Sequence, residues 1–301
     1  MCGIVGYAGN RDATGVVIGA LRRLEYRGYD SAGVAVLDSA AQLSTIKRAG
    51  KLTNLDAALA AFPLPAATTG IGHTRWATHG PPTDPNAHPH TDEKDRVAVI
   101  HNGIIENFAE LRRQLESDGV TMTSETDTEV VAHLLAAELG PAGDLAEAMR
   151  TVCHRLSGAF TLVAIAADEP GRVVAARRNS PLVVGLGDGE NFLASDVSAF
   201  MEYTRAALEV ADGTVVDLDA TSVTLTDFAG AAVPRREFTI DWDVDAAEKG
   251  GYSSFMLKEI AEQPKAVADT LLGRLGADGR LVLDEMRLSD EDLREVDKVI
   301  I

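Results

Sequence analysis

The chain opens Met1-Cys2-Gly3-Ile4-Val5-Gly6-Tyr7-Ala8, and the reading of this stretch decides the rest. Residues 3–8 are small or apolar throughout, which predicts a buried strand starting at the terminus. Cys2 directly follows Met1, and its small side chain permits Met1 removal. The chain would then begin with a cysteine carrying both a thiol and a free α-amine. A thiol has a pKa of ~8.5 and an α-amine ~7.7–8.0, so the amine can accept a proton near neutrality. One residue would thus supply nucleophile and base together. The competing reading is an accidental cysteine at a frayed end, and the apolar strand that follows argues against fraying. Gly3 would let backbone approach a substrate closely.

Outward from this strand, a helix is expected from Asp12 to Arg27, with Val16, Val17, Leu21 and Leu24 as its apolar stripe and Gly28 as its C-cap. Strands are expected at 33–37, 43–48, 70–74 and 97–101, a short helix at 54–62, and a long loop at 80–95. Helices follow at 106–118, 127–139 and 143–156. From 159 to 227 short β runs alternate with Gly, Pro, Asp and Asn turns. Strands at both ends with helices between exclude simple βαβ alternation. They fit an α+β sandwich with largely antiparallel sheets.

Composition shifts near 230–252, where a domain boundary is placed. Beyond it a helix is expected over 254–274, broken or kinked at Pro264, and an acidic helix over 289–295. The chain stops at Val299-Ile300-Ile301, which reads as the start of a buried strand, so a fragment of a longer chain is expected.

The 301 residues carry 28 Lys+Arg against 46 Asp+Glu, a formal charge of −18. That balance excludes non-specific binding to nucleic acid or to an anionic membrane surface, both of which need surplus basic residues. No apolar run reaches the ~18 residues of a membrane span, and no signal peptide is seen. Two cysteines make no disulfide framework, so the expected compartment is the cytoplasm. Cys153 lies on the apolar side of a helix and reads as a small buried hydrophobe.

Five of the seven histidines, His73, His79, His88, His90 and His101, fall between residues 73 and 101. Their spacing fits no compact metal pattern, so no metal is expected and the segment reads as a loop-rich active-site region. In His73-Thr74-Arg75-Trp76-Ala77-Thr78-His79-Gly80, Arg75 can grip a carboxylate through a bidentate fork, its alternative being a surface ion pair. Trp76 is either core or a movable wall over a pocket. In His101-Asn102-Gly103, the Asn carboxamide and the Gly N–H can point at one oxyanion, or they form an ordinary Asn-Gly turn. In Ser124-Glu125-Thr126-Asp127-Thr128-Glu129, the acids suit a helix start, and Asp127 could receive an ammonium. Arg75 and Asp127 would then bracket a zwitterion, with Cys2 at the reacting carbon.

These segments, together with Leu24–Gly33, Asn86–His90 and Phe255–Pro264, resemble in order and spacing the glutamine–fructose-6-phosphate aminotransferase (isomerizing) family, or glucosamine-6-phosphate synthases. The resemblance implies an N-terminal-nucleophile hydrolase fold, an αββα sandwich. It implies a glutaminase domain over 2–240, a linker over 241–252 and the start of a sugar-isomerase domain over 253–301. By position, Cys2 would be the nucleophile, and Asn102 with the Gly103 N–H the oxyanion hole. Arg75 and Thr78 would bind the glutamine carboxylate with His79 alongside, and Asp127 the α-ammonium. Trp76 would gate the ammonia path, with Arg27 and Tyr29 in a loop near the nucleophile. The implied partners are L-glutamine and, in the full-length homodimer only, fructose 6-phosphate. No cofactor is implied, and this fragment would act as a glutaminase only. The alternatives are another N-terminal-cysteine amidotransferase, a catalytically idle regulatory module, or a histidine-rich metal-binding protein.

Overall fold

The first strand, β1 (Gly3–Ala8), is buried along its whole length, and its side chains alternate between two separate cores. Ile4 and Ala8 face a second sheet, while Val5 and Tyr7 face helices. A strand covered on both faces has no polar side to show, which is why this stretch reads as a continuous apolar run. The computed structural model describes residues 2–241, 252, 255–271 and 294. Contacts divide the chain into two units, Met1–Glu248 and Lys249–Ile301.

In the first unit, β1 is followed by α1 (Ala13–Arg23), β2 (Ser31–Asp38), β3 (Leu43–Ala49), α2 (Leu52–Ala61) and β4 (Ala67–Arg75). Next come β5 (His90–Thr91), β6 (Val97–Gly103), α3 (Phe108–Ser117), α4 (Glu129–Ala142) and α5 (Leu145–Arg155). The rest is β7 (Phe160–Ala166), β8 (Val173–Arg178), β9 (Val183–Leu186), β10 (Asn191–Ala194), β11 (Ala206–Glu209), β12 (Thr214–Leu218), β13 (Val223–Asp227) and β14 (Arg236–Thr239). One sheet has the order β14-β11-β9-β10-β1-β4-β2-β3, the other β13-β12-β8-β7-β6-β5. Every ladder is antiparallel.

The sheets pack face to face through Ile4, Ile71, Ile100, Val163 and Ile165. α1 and α2 cover the outer face of the first sheet through Val17, Leu21 and Leu55. α3, α4 and α5 cover the outer face of the second through Leu111, Leu135 and Val152. The layers are therefore α, β, β, α, as the resemblance implies, with period-two alternation sorting each strand between one helix layer and the shared middle.

The differences from expectation are local. α1 is capped by Asp12, whose carboxylate accepts from the Gly15 N–H at 2.8 Å. It stops at Arg23, and Glu25–Arg27 forms a separate 3₁₀ turn closed by Gly28 at φ 75°. Within the expected loop 80–95, His90 and Thr91 add a short edge strand to β6. β14, inside the stretch read as the onset of the boundary, pairs with β11.

Apart from Tyr252 and Arg294, the described part of the second unit is α6 (Phe255–Leu271). Of the break or kink expected at Pro264, the helix shows no break. The proline forgoes one backbone donor, yet the helix continues on both sides of it. The expected helix at 289–295 and strand start at 299–301 lie, Arg294 apart, outside the described residues, as does most of 241–252.

Candidate active site

Three strands end with the same change of chemistry in the same layer. In the inter-sheet core Ile4, Ile71 and Ile100 face one another. Two residues away on the same faces stand Cys2, His73 and Asn102. The alternation that builds the core thus delivers a thiol, an imidazole and a carboxamide to one edge of the sandwich. A cavity of about 600 Å³ opens there. Its wall includes Cys2, Arg27, Arg75, Trp76, Thr78, Asn102, Gly103 and Asp127. His79 and Tyr29 do not line it.

The backbone of Cys2 is held on several sides. Its carbonyl accepts from Arg27 Nε at 3.0 Å and from Asn102 Nδ2 at 3.1 Å. The following N–H groups, of Gly3 and Ile4, each donate to a hydroxyl at 3.1 Å, Thr74 Oγ1 and Ser195 Oγ. A Cβ on Gly3 would lie 2.5 Å from Thr74 Oγ1 and 3.1 Å from Leu24. The close approach that Gly3 permits is therefore to the protein's own β4 and α1 end. The thiol accepts from the Trp76 N–H at 3.1 Å. Burial pushes its pKa above the ordinary thiol value, and the Trp76 hydrogen bond pulls it partly back.

Arg75, at the end of β4, is buried. Its guanidinium donates to the carbonyls of His79, Gly80 and Pro81, organising the loop after Trp76. Three of its five N–H donors are therefore engaged with that loop, and a carboxylate in the cavity would meet the remaining two or displace a carbonyl. Burial lowers the Arg75 pKa, opposed by Asp30, Cys2 and Asp127. Thr78 reaches the cavity, while the His79 ring turns away to pack edge-on against Phe108 at 4.9 Å. Trp76 is 57% exposed, so it is a wall of the cavity mouth and not core. Tyr29 sits behind the site, its hydroxyl between Glu25 and the Leu52 N–H.

Asp127 is buried, and one of its oxygens accepts from the Ile105 N–H at 2.8 Å. The turn carrying it is fixed by its neighbours. Thr128 Oγ1 lies 2.8 Å from His88 Nε2 and 2.9 Å from His101 Nδ1, and Thr126 Oγ1 lies 3.0 Å from His90 Nε2. Glu129, the first residue of α4, accepts from the N–H and hydroxyl groups of both Thr123 and Ser124. Burial pushes its pKa up, but the neighbouring His133 ring, 3.7 Å away, and the hydrogen bonds from Ser124 and Thr123 outweigh it and hold the carboxylate ionised.

Four of the five clustered histidines, His73, His88, His90 and His101, are buried and neutral, because desolvation disfavours the imidazolium. Each faces a hydroxyl or carboxamide. Among the described residues no group of three or more His, Cys, Asp or Glu side chains is arranged to hold a metal ion. Cys153 is fully buried in α5, with its thiol pKa pushed up to about 12 by burial.

A profile of the glutamine amidotransferase domain matches residues 73–202. Over its full length the chain is 65% identical to a Streptomyces coelicolor protein named glutamine–fructose-6-phosphate aminotransferase [isomerizing], covering 49% of it. It is 59% identical, over 310 residues, to the Mycolicibacterium paratuberculosis protein of the same name, covering 50% of that one. The chain is similar along its whole length to proteins named glutamine–fructose-6-phosphate aminotransferase [isomerizing]. It spans about half the length of the curated relatives it matches. Among solved structures, glutamine phosphoribosylpyrophosphate amidotransferase from B. subtilis, complexed with ADP and GMP, matches with a TM-score of 0.64 at 24% identity. That match covers 77% of this chain and 50% of the other. At this identity the likeness is one of fold, the N-terminal-nucleophile sandwich.

Several residues that shape the site are not marked out by the sequence. Ser195 is 191 positions from the Ile4 N–H it receives and sits in an unremarkable Ala194-Ser195-Asp196 run. Thr74 and Thr128 do lie inside quoted motifs, but only strand register and loop closure reveal their partners. Ile104, Glu106, Ala159, Ser180 and Pro181 also line the wall, as do His88, His101 and Thr128.

Proposed function

We propose that this chain hydrolyses the side-chain amide of L-glutamine through a thioester on Cys2. The observation that carries the reading is the convergence on one cavity of the Cys2 thiol, the Asn102 carboxamide, the Arg75 guanidinium and the Asp127 carboxylate. A guanidinium and a carboxylate lining one cavity suit a zwitterion. A carboxamide donor beside a thiol suits a tetrahedral oxyanion.

In this reading the α-amine of Cys2, exposed once Met1 is removed, takes the thiol proton and the sulfur attacks the amide carbon. The oxyanion is received by Asn102 Nδ2 and the Gly103 N–H. As the carbon–nitrogen bond breaks, the proton returns to nitrogen and ammonia leaves. Water, deprotonated by the same amine, then attacks the thioester and releases glutamate. Arg75 and Thr78 hold the substrate carboxylate, Asp127 the ammonium, Arg27 the Cys2 carbonyl, and Trp76 the cavity mouth. His79 and Tyr29 act through the loop and turn they brace. None of these steps calls for a cofactor.

For the whole protein we propose transfer of the ammonia to fructose 6-phosphate, giving glucosamine 6-phosphate, in a cytoplasmic homodimer. The support is the shared name of relatives more than half identical to this chain. Residues 2–240 would form the glutaminase domain, 241–252 a linker and 253–301 the start of the sugar-isomerase domain. No described helix is long and apolar enough to cross a membrane.

The test is to measure glutamate and ammonia release from glutamine, with and without fructose 6-phosphate. Equimolar release of both, without glucosamine 6-phosphate, is the expected result for this chain. Absence of glutamate release would overturn the reading.

A further inference from the structure

We propose that His73 is a positioning residue that fixes the polarity of the Asn102 carboxamide, by donating a hydrogen bond across the two sheets from Nε2 to Oδ1. The proposal rests on the glutaminase reading above, because its functional consequence is an oxyanion hole that faces the right way.

The two residues belong to different sheets. His73 lies on β4, paired with Ile4 on one side and Gly33 on the other. Asn102 lies on β6, paired with Thr161. Both occupy inter-sheet positions, two residues beyond Ile71 and Ile100, and His73 Nε2 meets Asn102 Oδ1 at 2.9 Å.

The donor assignment follows from the acceptors. The Cys2 carbonyl can only accept, and it lies 3.1 Å from Asn102 Nδ2. The amide nitrogen therefore faces Cys2 and the amide oxygen faces His73. A carboxamide oxygen also only accepts, so the proton must sit on His73 Nε2. Full burial keeps the ring neutral, holding its pKa down at about 3 against the Asn102 hydrogen bond. The remaining nitrogen, Nδ1, then carries the lone pair, and it is a buried atom without a hydrogen-bond partner. The His88 ring packs against His73 at 4.3 Å, and His88 is itself held by Thr128. The imidazole has little freedom to turn.

A carboxamide has nearly the same shape in either orientation, so packing alone does not choose between them. In one orientation Asn102 offers N–H to a developing oxyanion, and in the other it offers a second oxygen. A donor-only contact at Oδ1 selects the first. A histidine with one unpaired nitrogen, at the edge of a layer built of isoleucine, valine, leucine and alanine, is poor core packing and a good orientation lock.

The experiment uses the full chain with His73→Gln, whose amide nitrogen keeps a donor near the Nε2 position, and His73→Leu, which fills the space without one. In ¹⁵N-histidine NMR spectra of the resting protein, the His73 ring is expected to be the neutral Nε2–H tautomer, without titrating between about pH 5 and pH 9. For glutamine hydrolysis, His73→Leu is expected to lower kcat by roughly 10²-fold while KM changes by less than about threefold. His73→Gln should recover most of that loss. An Nδ1–H tautomer, a titrating ring, or a His73→Leu kcat within about threefold of the parent would overturn the proposal. So would an equal loss in both variants. If His73→Leu does not fold, the tautomer and the His73→Gln kinetics decide. A parent chain inactive on glutamine, but with the Nε2–H tautomer in place, would overturn the glutaminase reading and leave the hydrogen bond standing.

Discussion

Replacing Asn102 by aspartate changes one atom group and tests the chemistry of the site. Asn102 Nδ2 donates to the Cys2 carbonyl at 3.1 Å, and Oδ1 accepts from His73 at 2.9 Å. Aspartate keeps the shape and the His73 contact, but its second oxygen cannot donate. It instead turns a negative charge toward the Cys2 carbonyl and the developing oxyanion. Loss of one oxyanion donor lowers kcat by ~10²–10³, which is about 2.7–4 kcal/mol of transition-state stabilisation. The added charge places Asn102→Asp at the upper end. Substrate recognition is assigned to Arg75 and Asp127, on other segments, so KM for glutamine should change by less than about threefold. The assay is steady-state glutamate release over a glutamine series, with thermal melting to check that the fold survives. A variant that melts like the parent and keeps kcat within about threefold would refute the assignment, as would a loss carried wholly in KM.

Asp127→Ala should behave in the opposite way, raising KM for glutamine by about 10–10³-fold, because a buried charged hydrogen bond to the substrate ammonium is lost; an unchanged KM refutes that role. Glu129→Gln should destabilise the domain by about 3 kcal/mol, lowering Tm by roughly 6–12 °C, since four donors lose a charged acceptor. The folded-state pKa of Glu129 is depressed. Its stabilisation is therefore present above the unfolded carboxylate value of about 4.3 and is lost as pH falls. A parent-minus-variant stability difference that stays flat down to about pH 3 would contradict this. Burial raises the Cys2 thiol pKa, so alkylation of Cys2 by iodoacetamide should still accelerate above about pH 8.5, and a plateau below about pH 7.5 would contradict it.

Much of this architecture is legible in the order of residues, for a physical reason. The middle strands are buried on both faces, so they stand out as unbroken apolar runs such as Gly3–Ala8 and Phe160–Ala166. The ends of those runs are where polar residues meet the cavity, so Cys2, Arg75 and Asn102 could be picked from chain position alone. What the sequence does not disclose is direction and partner. His79 sits in the same short motif as Arg75, yet its ring packs on Phe108 and its carbonyl, not its side chain, serves Arg75. The run of histidines resolves into neutral rings braced by Thr126, Thr128 and Asn102, because burial makes imidazoles uncharged hydrogen-bonding packing elements. The sequence shows that Arg75 can offer a bidentate fork, but not that the carbonyls of His79, Gly80 and Pro81 already engage most of it. Pro264 does not end its helix, because a proline removes one helical hydrogen bond without obliging the helix to stop.

The claim that a thiol at Cys2 attacks the glutamine amide is tested most directly by covalent capture. The protein is incubated with an electrophilic glutamine analogue, 6-diazo-5-oxonorleucine, and its peptides are mapped by mass spectrometry. The account predicts one adduct per chain, on the peptide beginning at Cys2 with Met1 absent. Labelling should be slowed by excess L-glutamine, and the buried Cys153 should remain unmodified. An adduct elsewhere, or an active protein whose Cys2 stays unlabelled, would contradict it.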